Sequence, residues 1–143
     1  MKNILLVEDS LDATQSIKKR FERIYCVDRI NKVKDAMVLF KKNEYDCIII
    51  DLVIDPLGLT DEQVKKYYPF FGWAWLKEYL LGDENKAPDI KRKTIIFSQY
   101  VAELKEKWND EVKSLESEGL IALQKNGKPS IEDLLNKINT IIQ

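Results

Sequence analysis

Acidic and hydroxyl side chains stand at the ends of short apolar runs in this sequence. Glu8 and Asp9 follow the run ILLV, Asp51 ends the run CIII, and Ser98 closes the run TIIF. Carboxylates gathered at one place repel one another and favour a bound cation, and hard oxygen ligands suit Mg²⁺, with Mn²⁺ as a substitute. A carboxylate beside such an ion can attack a phosphoryl group, because the metal offsets charge on the phosphoryl oxygens. These residue types indicate phosphoryl-transfer chemistry if the fold brings them together.

Two lysines near the end of the chain are candidates for the cation of the same site. Lys125 directly follows the apolar run at residues 120–124, and Lys128 precedes Pro129. A lysine ammonium can hold one phosphoryl oxygen while the Ser98 hydroxyl hydrogen-bonds another. Its place directly after the run favours Lys125, and both lysines remain candidates.

Composition excludes several other functions. The 23 basic and 24 acidic residues nearly cancel, which argues against direct binding to nucleic acid. Without any histidine the chain has no Ser-His-Asp or Cys-His machinery and no imidazole metal ligand. Cys26 and Cys47 lie in apolar runs, where free cysteines are usually buried hydrophobes. The start has no signal-peptide layout, and no apolar run reaches the ~20 residues that span a membrane, so we expect a reducing cytoplasm and no membrane partner.

Five apolar runs predict strands, and helical patterns lie between them. The runs are mostly continuous rather than alternating, which is typical of a parallel sheet covered on both faces. Strands that alternate with helices predict an open, mostly parallel, doubly wound α/β sheet. The predicted strands cover residues 3–7, 25–30, 47–52, 94–98 and 120–124.

Capping residues predict where several helices begin. Ser10 would cap a helix to about residue 24, and Asn31 would cap the next one. Residues 101–118 read as a polar helix with Leu104, Trp108, Val112 and Leu115 facing inward. Ser130 and Asp133 have the spacing of a capping box before the last helix.

The connection over residues 55–92 is unusually long for so small a domain, and such connections are usually functional or packed elaborations. Thr60 and Gln63 form a capping-box pattern, which predicts a short helix over residues 61–68. Pro69 would begin a second helix over residues 70–81, and its aromatic residues are expected to be core. The basic run Lys91, Arg92 and Lys93 is expected to be a solvated loop.

Four segments in order, ILLVEDS, YDCIIIDL, TIIFS and QKNGKPSIEDLLNKI, resemble the receiver domains of response regulators in two-component signalling. The resemblance covers nearly the whole chain. It implies a flavodoxin-like, three-layer α/β/α fold with five parallel strands in the order 2-1-3-4-5. Residues 1–143 would form a single receiver domain, with an insertion at about 55–92.

The resemblance also implies a role for each site residue. Asp51 is phosphorylated, Ser98 moves toward the phosphoryl group when it arrives, and Lys125 or Lys128 is the site lysine. Lys128 with Pro129 matches a Lys-Pro pair that is frequent in the family. The Mg²⁺ ligands, direct or through water, would be Glu8, Asp9, Asp51 and the carbonyl of Val53.

Three features depart from the usual pattern of the family. Asp51 and Ser98 are separated by more residues than usual, and the excess lies in residues 55–92. Gln99 stands where the family has a small residue, so its long side chain could cover the phosphoryl site. The switch aromatic of the fifth strand falls near Ala122, although Tyr100 is a substitute from the loop after the fourth strand.

The expected function is a stand-alone receiver that signals through protein–protein interaction. Its partners would be a histidine kinase or phosphotransfer protein, a downstream protein target and, as a further option, a second copy in a homodimer. Any enzymatic activity would be at most Mg²⁺-dependent self-phosphorylation and dephosphorylation. The alternative is a receiver-like interaction module that no longer uses phosphate. A nucleotide or flavin binder is disfavoured, because no glycine-rich loop follows the first strand.

Overall fold

The computed structural model describes residues 1–8, 18–125 and 127–143, and describes the side chains of the last range from residue 131 onward. Its five strands are β1 (Asn3–Val7), β2 (Cys26–Ile30), β3 (Cys47–Ile50), β4 (Thr94–Ser98) and β5 (Ile121–Gln124). All neighbouring pairs are parallel, and the order across the sheet is β2-β1-β3-β4-β5. The flavodoxin-like fold and its strand order are therefore confirmed.

The helices lie between the strands, as the alternating pattern predicts. Residues 18–22 are helical. The remaining elements are α1 (Val33–Lys42), α2 (Asp61–Tyr67), α3 (Phe71–Trp75) with a π-helical continuation over Leu76–Leu80, α4 (Ala87–Lys93), α5 (Val101–Ser117) and α6 (Gly127–Ile142). Among the described residues, none of these helices has the length and apolar character needed to cross a membrane.

Two hydrophobic cores cover the two faces of the sheet, which gives the expected three layers. One core contains the inward residues of α1, α3 and α5, including Trp73, Trp75 and Leu104. The other packs Phe21 against Leu134 and Ile138 of α6. Every residue of β3 and β4 is buried, which explains why their sequences are continuous apolar runs rather than alternating ones.

The segment at residues 55–92 is a packed elaboration with three short helical elements. The capping box of Thr60 and Gln63 is confirmed, since both of its reciprocal hydrogen bonds form at the start of α2. Tyr67 at the end of α2 stacks on Trp108 of α5, with ring centroids 5.2 Å apart. The aromatic residues of α3 are buried as predicted, whereas Tyr79 is partly exposed.

The predicted cap at Asn31 is wrong, because backbone carbonyls of the insertion accept the first N–H groups of the helix. Helix α1 begins one residue later, and its N-cap Lys32 makes no side-chain capping bond. The N–H groups of Val33 and Lys34 instead donate to the carbonyls of Asp55 (3.1 Å) and Leu57 (2.7 Å). The first part of the insertion is thus fixed beside the carboxyl end of β2.

Two other predictions are corrected by helices that extend further than expected. The last helix begins at Gly127, so Ser130 lies inside it, where Pro129 is tolerated because the first-turn N–H groups need no helical partner. Lys91, Arg92 and Lys93 form the end of α4 rather than a loop. That helix buries Ile90 and carries an ion pair between Lys93 and Asp89 at 2.9 Å.

Candidate functional site

The candidate residues lie where the strands end, at the carboxyl edge of the sheet. The backbone hydrogen bonds of the sheet continue one residue beyond the strands. The N–H groups of Glu8, Asp51 and Lys125 donate to the carbonyls of Ile30, Val7 and Ser98, respectively, each at a distance of 2.9 Å. The parallel ladder therefore fixes the backbone of these three residues at one rim. Ligands of open α/β sheets bind at such a rim.

The side chain of Lys125 joins the two carboxylates at this rim. Its Nζ lies 2.5 Å from an oxygen of Glu8 and 3.2 Å from an oxygen of Asp51. Both carboxylates are buried, with 2% of Glu8 and 9% of Asp51 exposed. The structure thus brings together Glu8, Asp51 and Lys125, three residues that are up to 117 positions apart in sequence.

Burial and crowding change the acidity of the Glu8 carboxyl. Its pKa is raised from 4.5 to about 7, first by burial and then by the hydrogen bond and negative charge of Asp51, while Lys125 acts in the opposite direction. Among the described residues, the carboxylates of Glu8 and Asp51 share the ammonium of Lys125, so these three groups carry an excess negative charge in a poorly solvated place when both acids are ionised. Such a cluster is stabilised by a proton or by a cation.

The donor set at the rim fits a hard divalent cation. The carboxylates of Glu8 and Asp51 are oxygen ligands, and Val53 follows Asp51 with a backbone carbonyl two residues along. An Asp51 oxygen also accepts the N–H of Leu52 at 2.7 Å, which orients that carboxylate. Asp9, the third predicted carboxylate, and the side chain of Lys128 lie outside the described residues. Within the described residues no group of three or more acidic or thiol side chains forms a metal site.

Ser98 is fully buried at the end of β4, one strand away from Asp51. Its hydroxyl oxygen accepts the N–H of Tyr100 at 3.2 Å. Gln99 is exposed, and its backbone carbonyl accepts a bond from the side chain of Gln124 at 2.6 Å. Tyr100 is 37% exposed at the start of α5, and Ala122 packs partly buried against the core. The movement of Ser98 and the switching role of Tyr100 stay predictions.

Two residues at the rim were not found from the sequence. The N–H of Gly72 donates to the carbonyl of Leu52 at 3.0 Å, and a Cβ at Gly72 would stand only 2.0 Å from the carbonyl oxygen of Asp51. Helix α3 of the insertion therefore packs directly against the backbone of Asp51 and Leu52. A glycine between bulky aromatic residues was the available signal for this contact, whereas nothing in the sequence marks Gln124.

The sequence matches no protein-family model, and it matches none of the curated proteins with which it was compared. Solved structures do match. The receiver domain of the Francisella response regulator 1452 is 24% identical, with a TM-score of 0.67 over 99% of this chain and 97% of that one. The response regulator TrrA of Thermotoga maritima, in complex with Mg²⁺-BeF, is 18% identical (TM-score 0.66, 99% of each chain covered).

The chemotaxis response regulator CheY4 of Vibrio cholerae is also similar, at 18% identity and a TM-score of 0.65 over 96% of this chain and 98% of that one. These identities are low, so the comparisons concern the fold. Each match covers at least 96% of this chain. The chain therefore has the fold of response-regulator receiver domains.

Proposed function

We propose that the chain is a phospho-acceptor receiver in which Asp51 takes a phosphoryl group from a histidine kinase or phosphotransfer protein. The observation that carries the proposal is the Lys125 ammonium, held 2.5 Å from Glu8 and 3.2 Å from Asp51 at the carboxyl rim. A receiver fold with two buried carboxylates and one cation at this rim has the groups that phosphoryl transfer needs, namely positioned oxygens and compensating charge.

In the proposed reaction an oxygen of Asp51 forms a bond to phosphorus as the bond from phosphorus to the donor's histidine nitrogen breaks. The donor imidazole leaves with the electron pair. Lys125 then binds one phosphoryl oxygen and the Ser98 hydroxyl donates to another. A divalent ion, held by Glu8, Asp51 and the Val53 carbonyl with Asp9 as a further ligand, would neutralise charge on the phosphoryl oxygens. Hydrolysis of the aspartyl phosphate by water ends the signal.

We further propose that the chain works as a stand-alone receiver that signals by binding a downstream protein. The two cysteines are unpaired, which supports a reducing, cytoplasmic location. The contact between α3 and the Asp51 backbone connects the insertion to the acceptor, which supports the insertion as a surface through which a partner senses phosphorylation. The same contact is also compatible with the alternative, an interaction module that does not use phosphate.

The test is phosphorylation by a small phosphodonor with millimolar Mg²⁺, followed by intact mass. We expect the mass of one added phosphoryl group in the wild type and in Asp35→Asn, which removes an exposed carboxylate of α1. We expect none in Asp51→Asn. Absence of any mass gain, together with no response to beryllofluoride, would favour the interaction module over the receiver.

A further inference from the structure

Gln124 is the residue of β5 that stands directly beside Ser98. The two residues are register partners in the parallel pair of β4 and β5. Partners on adjacent strands present their side chains to the same face of a sheet, about 5 Å apart. The amide of Gln124 and the hydroxyl of Ser98 are therefore neighbours on the face that α5 covers.

A chain of hydrogen bonds links these two side chains through one peptide group. The Gln124 amide nitrogen donates to the Gln99 carbonyl at 2.6 Å. That carbonyl belongs to the same peptide unit as the N–H of Tyr100, which donates to the Ser98 hydroxyl oxygen at 3.2 Å. The direction of the chain is unambiguous, because a carbonyl oxygen only accepts and a backbone N–H only donates.

Linked hydrogen bonds polarise one another, so a donor on the Gln99 carbonyl makes the Tyr100 N–H a stronger donor to Ser98. The Ser98 oxygen then has one lone pair occupied, and its single hydrogen remains available to a further acceptor. A hydroxyl held in this way is oriented and strengthened as a hydrogen-bond donor. Without Gln124 the loop peptide would lose a side-chain restraint on its carbonyl.

We propose that Gln124 is a positioning residue, which orients the Ser98 hydroxyl as a donor to a phosphoryl oxygen on Asp51. It acts through the peptide between Gln99 and Tyr100 and does not touch the phosphoryl group itself. This inference rests on the proposed function, since it concerns the same acceptor. It assigns part of the binding of the phosphoryl group to a residue outside the cluster of Glu8, Asp51 and Lys125.

The experiment is calorimetric titration of beryllofluoride, as the phosphoryl probe, in saturating Mg²⁺. Gln124→Leu and Gln124→Glu both remove the amide donor, and they differ in charge. We expect each to weaken beryllofluoride binding about three- to tenfold, the range for loss of one neutral hydrogen bond. The affinity for Mg²⁺ alone should remain unchanged in Gln124→Leu. Gln143→Leu, at the chain terminus, is the matched control and should bind as the wild type does.

A double-mutant cycle with Ser98→Ala separates positioning from a general effect on the fold. When the hydroxyl is absent, Gln124→Leu should weaken beryllofluoride binding no further, because the two residues act through one path. Additive losses, or an unchanged affinity in Gln124→Leu, would overturn the inference while leaving the proposed function intact. Absence of beryllofluoride binding in the wild type would overturn both the inference and the proposed function.

Hydrogen exchange of the Tyr100 amide gives a second measurement without any ligand. Its bond to Ser98 should protect this amide in the wild type, and Gln124→Leu should accelerate its exchange about three- to tenfold. Exchange at buried amides of β3 serves as the internal reference for global stability. Equal exchange of the Tyr100 amide in both proteins would contradict the hydrogen-bond chain.

Discussion

The two ends of the sheet each carry a lysine paired with a carboxylate, and the two pairs differ in the surroundings of the acid. Lys93 lies at the amino end beside Asp89, and Lys125 lies at the carboxyl end beside Glu8. The exposed fraction of both lysine side chains is 19%, but that of the carboxylate is 62% for Asp89 and 2% for Glu8. The amino-end pair is a solvated contact between neighbours on one helix, which contributes little stability.

At the carboxyl end the same two chemical groups form a functional candidate, because water cannot compensate the charges there. Burial raises the pKa of Glu8 to about 7, and Asp51 adds a second carboxylate to the same ammonium. A lysine–carboxylate pair therefore carries no functional information by itself. Burial of the acid and its approach to a second acid make the difference.

Removal of each lysine charge should give the largest difference in stability between the two ends of the sheet. Lys125→Met removes the ammonium that contacts both buried carboxylates, and we expect the free energy of unfolding at pH 8 without metal to fall by about 3 kcal/mol. Lys93→Met should change it by less than about 0.5 kcal/mol, because Asp89 is solvated. Urea denaturation measures both. Equal losses at the two ends would mean that burial of the carboxylate is not the deciding factor.

Glu8 at the carboxyl end should make stability depend on pH, and Asp89 at the amino end should not. The pKa of Glu8 is about 7 in the folded protein and 4.5 in an unfolded chain. Between these two pH values the folded state therefore binds more protons than the unfolded state. Stability from this group is therefore present below about pH 4.5 and is lost as the pH rises through 7, by up to about 3 kcal/mol.

Urea denaturation at pH 5 and pH 8, with a chelator present, measures this dependence. Glu8→Gln should flatten it, because the amide does not titrate. Asp89→Asn should leave the wild-type difference between the two pH values in place. A wild-type slope that persists in Glu8→Gln would assign the titration to another group.

A methyl group at Gly72 should disturb the packing at the carboxyl end of the sheet and leave the amino end unchanged. Its Cβ would collide with the backbone of Asp51, so Gly72→Ala must displace either α3 or Asp51. We expect a loss of about 1–3 kcal/mol in the free energy of unfolding, the range for overpacking. Lys86→Ala, on the exposed surface at the amino end, should be neutral in the same thermal or urea melts. No change in stability in Gly72→Ala would show that α3 is not packed tightly against the backbone of Asp51.

Mg²⁺ should produce the smallest effect and one that is restricted to the carboxyl end. At a concentration of about ten times its Kd, a ligand that binds only the folded state raises the free energy of unfolding by about 1.4 kcal/mol. A chelator should reverse the increase. Asp51→Asn should abolish it, whereas Asp89→Asn should retain it, as thermal melts at pH 8 can measure. A response that survives in Asp51→Asn would locate the ion elsewhere.

Several elements could be predicted from local sequence because their signals are local. The continuous apolar runs of β1 and β4 mark strands buried on both faces, and the bounds of both agree with the prediction. The capping box of Thr60 and Gln63 depends on bonds within four residues, so its pattern was sufficient. The predicted cap at Asn31 failed because the N–H groups of α1 are taken by carbonyls of the insertion, more than 20 positions away.

Local sequence was enough to predict the alternation of strands and helices and the residue types that stand at the end of each strand. That information lies in short-range periodicity and capping, and it led to the fold class and to Glu8, Asp51 and Lys125 as candidates, with Lys128 kept as an alternative to Lys125. Which of these groups meet depends on the folded arrangement of the strands, because contacts across the sheet join residues up to 117 positions apart. The packing of α3 against Asp51 and the hydrogen bonds that link Gln124 to Ser98 likewise depend on tertiary packing and strand register, which leave no pattern in the local sequence.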